Sequence, residues 1–72
     1  MDFKFNDMFE DSKGNIYYYV GELTDIDILK FGWNPYEIPV NAHIIVDVTK
    51  TEFLCISTEE IIRALKYIPV YL

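Results

Sequence analysis

The chain is poor in the residues that most site chemistry needs. It has one cysteine, Cys55, and one histidine, His43. A single cysteine excludes an internal disulfide, and the two together fall short of the four Cys/His ligands of a structural zinc site. The glycines, Gly14, Gly21 and Gly32, stand apart from one another, so no Gly-rich phosphate loop can form. Basic residues number six against twelve acids, for a net charge of −6. So few cations speak against direct contact with nucleic acid or an anionic membrane, both of which are bound through Lys/Arg clusters. No apolar run approaches the ~18 residues a membrane helix needs. The start, Met1-Asp2-Phe3-Lys4, lacks the basic-then-apolar pattern of a secretory signal. With an unpaired thiol, this leads us to expect the reducing cytosol.

What is present is aromatic and acidic. Five Phe, six Tyr and one Trp occur in 72 residues. That length allows one domain, residues 1–72, near the lower limit for a self-sufficient core. With no disulfide or metal to help, a homodimer is expected. The charge is uneven. Residues 1–37 hold eight of the acids and nine of the aromatics, against three lysines. Such a surface favours a basic protein partner.

Periodicity gives the elements. Phe3, Phe5 and Phe9 alternate with polar residues, Glu10 to Asn15 reads as a turn, and Ile16-Tyr17-Tyr18-Tyr19-Val20 is a strand, so residues 3–22 read as a hairpin. Tyr18 is expected inward with Ile16 and Val20, leaving Tyr17 and Tyr19 on the outer face. Thr24 or Asp25 can cap a short helix that Gly32 ends, with Ile28, Leu29 and Phe31 inward. The rival reading of that segment is a strand, since Asp25-Ile26-Asp27-Ile28 alternates. Two prolines make residues 32–39 a loop. Residues 42–57 read as a second hairpin turning at Lys50-Thr51, with Val46 opposite Cys55. Ser57-Thr58-Glu59-Glu60 is a capping box opening a helix to about Tyr67, whose stripe is Ile61, Ile62, Leu65 and Ile68. Pro69 ends it, and Val70-Tyr71-Leu72 is expected to pair at a sheet edge or to be swapped onto a neighbour. The order is ββαββα, an α+β fold with an antiparallel sheet and both helices on one face.

No catalytic set follows. The hairpin parity puts Cys55 and His43 on opposite faces, so they cannot work as a nucleophile–base pair; His43 is expected at the surface or a sheet edge. Asp11 and Glu22 have EF-hand spacing, but Ile16 stands where that loop requires glycine. We therefore expect no enzyme, no cofactor and no metal. The candidate partner-binding residues are the acids Asp7, Glu10, Asp11, Glu22, Asp25 and Asp27. The candidate apolar anchors, for a partner or a dimer seam, are Tyr17, Tyr19, Trp33 and Tyr36. Acids at alternate strand positions, ~6.8 Å apart, could imitate a row of DNA phosphates.

In size, acidity, aromatic content and want of catalytic residues, the chain resembles the small inhibitors that phages encode against host enzymes, anti-CRISPR proteins among them. Residues 3–49, a hairpin, a short helix ending at Gly32 and a further strand, also look like the phage inhibitors of uracil-DNA glycosylase. That resemblance implies an acidic α+β dimer occupying an enzyme's DNA cleft; it assigns no residue a role. The expected function is thus an acidic interaction module that inhibits a nucleic-acid-processing enzyme. The alternative is an accessory subunit that homo-oligomerises through an aromatic patch.

Overall fold

The computed structural model of the chain describes residues 2–69. Five strands form one antiparallel sheet: β1 (Met8–Glu10), β2 (Ile16–Glu22), β3 (Ala42–Asp47), β4 (Phe53–Ser57) and β5 (Lys66–Ile68). Helix α1 (Asp25–Phe31) joins β2 to β3, and α2 (Thr58–Ala64) follows β4. The strand order is β4-β3-β2-β1-β5. The expected α+β class and the ββαββα order hold, with β5 added at the edge.

The first strand is shorter than its Phe3-Phe5-Phe9 alternation suggests. Asp7 accepts the Lys4 N–H through its carboxylate at 2.8 Å and donates its own N–H to the Lys4 carbonyl at 2.9 Å. That turn, with Asn6 at φ 70°, delays β1 until Met8. Phe5 is left exposed, while Phe3 stacks edge-on against Phe9.

Both faces of the sheet are covered, by different helices. The register sets Tyr19 opposite Ile45, and Ile45 opposite Leu54. With Phe9 and Ile61 of α2, Tyr19 and Ile45 form the buried core cluster. The opposite face carries Met8, Tyr18, Ile44, Val46, Phe53 and Cys55. Phe31 of α1 lies 5.1 Å from the Phe53 ring and stacks on Trp33 at 4.7 Å, which puts α1 and its following loop over this second face. The expectation of both helices on one face is corrected accordingly. Ile44, Ile45 and Val46 are buried in succession. A strand with such a continuous apolar run must be covered on both sides.

Local signals fix the helix ends. Thr24 caps α1: its hydroxyl accepts the Asp27 N–H, and the Asp27 carboxylate accepts the Thr24 N–H at 2.9 Å. Gly32, at φ 68°, donates to Leu29, and Trp33 donates to Ile28, closing the helix in a Schellman pattern. Within α1, Leu29 is 83% exposed and not inward as expected. Phe31 takes the inward position, and a residue two places earlier on a helix lies on a different side. Ser57 caps α2 by accepting the Glu60 N–H at 3.1 Å. Glu60 pairs with Arg63 instead of completing the capping box. α2 stops at Ala64, short of Tyr67, because Lys66–Ile68 pairs with the open side of β1. Ile68 is therefore a strand residue, and Ile62 is exposed. The edge placement expected for Val70-Tyr71-Leu72 lies outside the described residues.

The β3–β4 turn is wider than expected, with Val46 opposite Phe53 and Ile44 opposite Cys55. Asp47 organises it. Its carboxylate accepts the N–H groups of Thr51 at 2.8 Å and Glu52 at 2.9 Å, and the hydroxyls of Thr49 and Thr51. Stabilised foremost by the Glu52 N–H, its pKa falls to about 2. A carboxyl with a depressed folded-state pKa contributes stability above its unfolded value of 3.8 that is lost as pH falls through about 2. Asp47→Ala should therefore lower the melting temperature at neutral pH, and its difference from the parent should shrink toward pH 2. A pH-independent difference would contradict this role.

Candidate interaction surface

The only histidine is buried and fully engaged. Tyr19 Oη lies 2.7 Å from His43 Nδ1, and His43 Nε2 lies 2.6 Å from Thr58 Oγ1. The Thr58 hydroxyl donates to the Asn41 carbonyl at 3.3 Å. One proton arrangement satisfies the whole chain: Tyr19 donates to Nδ1, Nε2–H donates to Thr58, and Thr58 donates onward. In that tautomer Nε2 carries the proton and cannot accept another from Thr58. The array is a structural strut tying β2, β3 and the start of α2. Burial holds the His43 pKa below its ordinary value, and the Glu22 carboxylate opposes that only in part. His43 is thus corrected from a surface or edge residue to a core one. A β-bulge between Tyr19 and Gly21 shifts the alternation and brings Glu22 opposite His43. Cys55 stays on the other face, as its parity requires, and burial pushes its thiol pKa up, away from the reactive thiolate.

The four anchor rings meet different fates. Tyr19 is 4% exposed and Tyr17 packs against the core, so the expectation of an outer-facing Tyr17 and Tyr19 is corrected. Alternation separates them from Tyr18 but cannot say which face α2 will cover. Trp33 is half-buried in its stack on Phe31. Tyr36 alone is free, 95% exposed, in a 3-10 turn (Pro35–Glu37) that the Asn34 side chain caps by accepting the Tyr36 N–H.

The six acids also divide. Asp7, Asp11 and Asp27 accept local N–H groups: Asp11 holds Lys13 and Asn15, and Asp27 closes the α1 capping box. Hydrogen bonds from Asn15 and from Thr24 keep Asp11 and Asp27, respectively, below the usual carboxylate range. These groups are charged, but their first duty is to turns. Asp11 belongs with Asp47 and Glu52, all of which act on the Tyr17 hydroxyl at one end of the sheet. Glu10 is half-buried in β1. Glu22 and Asp25 lie exposed toward the other end, where β2 leads into α1. Each of β1, β2 and β3 carries a single acid and β4 and β5 carry none, so among the described residues no strand bears acids at alternate positions. The phosphate-like row expected from strand spacing does not form.

One segment combines free acids with free apolar groups. Along residues 25–40, Ile26, Leu29, Tyr36 and Val40 are all more than three-quarters or about three-quarters exposed, alongside exposed Asp25 and Glu37. Scattered exposed apolar residues are normal, but four from one connection are not scattered. Sequence reasoning found Tyr36 and missed Ile26, Leu29 and Val40. The signal was available: a seven-residue helix with apolar groups at 26, 28, 29 and 31 has more of them than one inward stripe can take.

No protein-family model, no curated protein and no solved structure matches this chain. Among the described residues, no helix is long and apolar enough to cross a membrane.

Proposed function

We propose that the chain is a cytosolic interaction module that docks on a basic protein surface through the α1 layer, residues 25–40. A nucleic-acid-processing enzyme, whose substrate channel is basic, is the target class that suits it best, and occupancy of that channel would inhibit the enzyme. The single observation behind this reading is the coincidence of exposed Ile26, Leu29, Tyr36 and Val40 with exposed Asp25 and Glu37 on one connection, in a chain of net charge −6. The acids steer encounter, and the apolar groups supply contact once solvent is displaced. The reading does not depend on a phosphate-spaced row of carboxylates.

Charge reversal must avoid the capping acid. Asp27→Lys would open the α1 cap, whereas Asp25 and Glu37 can be reversed without loss of a hydrogen bond seen here. The test is capture from a bacterial lysate on immobilised full-length chain, with mass spectrometry of retained proteins. A specific protein should be held by the parent, lost with Asp25→Lys/Glu37→Lys, and lost with Leu29→Ser/Tyr36→Ser. Because all four residues are surface groups, melting temperatures should hardly change. Equal retention by parent and variants would refute the assignment.

A further inference from the structure

We infer that the outer edge of β4 is a self-pairing surface through which two copies of this chain join their sheets into one. β4 is a terminal strand. The Asp47 N–H donates to the Glu52 carbonyl at 3.1 Å, which makes 47 and 52 a hydrogen-bonded pair. Alternation along an antiparallel ladder then turns the backbone groups of Leu54 and Ile56 toward β3. Those of Phe53 and Cys55 point away from the sheet, and Ser57 beyond them is the N-cap of α2. Among the described residues, the loop and cap backbone bonds leave the N–H and C=O of Phe53 and Cys55 out.

Proteins guard such edges with charge, proline or a cover. The opposite edge has that protection: β5 contains Lys66 and is followed by Pro69. β4 reads Phe-Leu-Cys-Ile-Ser, with neither, in a chain whose residues are 25% charged. Two copies each carry −6, and β4 itself adds no carboxylate between Glu52 and Glu59, while Glu37 of the loop before β3 lines a cavity with Cys55. A two-fold axis at Cys55 sets Cys55 opposite its counterpart and Phe53 opposite Ser57 of the second copy. Leu54 then lies beside Ile56 of the second copy, extending the apolar face under α2. No like charges face each other within the paired strands, and identical strands satisfy one another by symmetry. Phe53 is 37% exposed at this edge and would be covered.

The test joins light scattering on the full chain with amide hydrogen exchange by NMR at low and high concentration. The mass should double as concentration rises. The Phe53 and Cys55 amides should exchange freely when dilute and become protected in the dimer, whereas Leu54 and Ile56 are protected throughout. Phe53→Lys should keep the far-ultraviolet spectrum and abolish the dimer. Because Phe53 also touches Phe31, Cys55→Pro is the second variant: it removes an outward N–H together with the half-buried thiol, at a position where an edge strand tolerates proline, and should likewise abolish the dimer. A chain that stays monomeric at every concentration overturns the inference. So does a dimer whose Phe53 and Cys55 amides still exchange freely, or protection of those amides in the dilute monomer. These readouts involve none of the α1 residues, so failure here and failure of the docking assignment are distinguishable.

Discussion

Ile61→Ala should unfold a substantial fraction of the chain under conditions where the parent is fully folded. Ile61 is 1% exposed, and it is the α2 side chain that seals Phe9, Tyr19 and Ile45. Truncating a buried isoleucine to alanine costs about 2–5 kcal/mol, the lost transfer energy plus the cavity left behind. A domain of this length has roughly 4–10 kcal/mol in total. The loss therefore removes a large share of the stability, and a chain with one cysteine has no internal disulfide to limit the damage. Urea unfolding followed by far-ultraviolet circular dichroism measures it. Ile62→Ala, one residue along and exposed, is the control and should change stability by less than about 0.5 kcal/mol. Equal losses at the two positions would mean that α2 is seated differently.

Tyr19→Phe should be the next most damaging small change. It deletes one oxygen and leaves His43 Nδ1 without its 2.7 Å partner in a buried place. An orphaned buried acceptor costs about 1–3 kcal/mol, more than the hydrogen bond itself contributes. Tyr19→Phe/His43→Leu removes both polar groups and should recover part of the loss, because Thr58 keeps its bond to the Asn41 carbonyl. The same strut makes the parent acid-sensitive. His43 has a folded-state pKa below the 6.5 of the unfolded chain. The unfolded chain therefore binds more protons, and stability rises with pH across the interval between the two values. The contribution is complete above 6.5 and is lost as pH falls below it. Unfolding free energies between about pH 7 and 5 should decline in the parent and decline less in the double variant. A parent profile flat over that interval would contradict the buried neutral imidazole.

The legible parts of this fold are those that local chemistry decides. Thr24 and Gly32 bracket α1 because a hydroxyl cap and a left-handed glycine act within four residues of themselves. Ser57 opens α2 for the same reason. The β3–β4 hairpin was readable from alternation, and its parity separated Cys55 from His43 even though the turn proved wider, since Asp47 gathers Thr49, Thr51 and Glu52 around its carboxylate. What could not be read was which face of a strand lies inside. Tyr17-Tyr18-Tyr19 alternates identically whether α2 covers the odd or the even members. Only the three-dimensional placement of Ile61 against Ile45 decides it. The end of α2 was hidden likewise, because β1 offers Lys66–Ile68 a partner far away in sequence.

The candidate surface was half legible. Composition located acids and rings in the first half of the chain, and Asp25 and Tyr36 are exposed there. It could not reveal that Asp7, Asp11 and Asp27 serve neighbouring N–H groups, which depends on turn geometry. Nor could it reveal the exposure of Ile26, Leu29 and Val40, in a segment where Phe31 takes the contact with Phe53 and Trp33 stacks on Phe31.

Association kinetics with the captured partner, followed as ionic strength is raised, test the docking assignment most directly. If carboxylates of the α1 layer steer encounter with a basic surface, the association rate of the parent falls steeply with salt while dissociation changes little, and Asp25→Lys/Glu37→Lys associates slowly at every salt concentration. A parent rate indifferent to salt, or a variant that associates as fast as the parent, would contradict it.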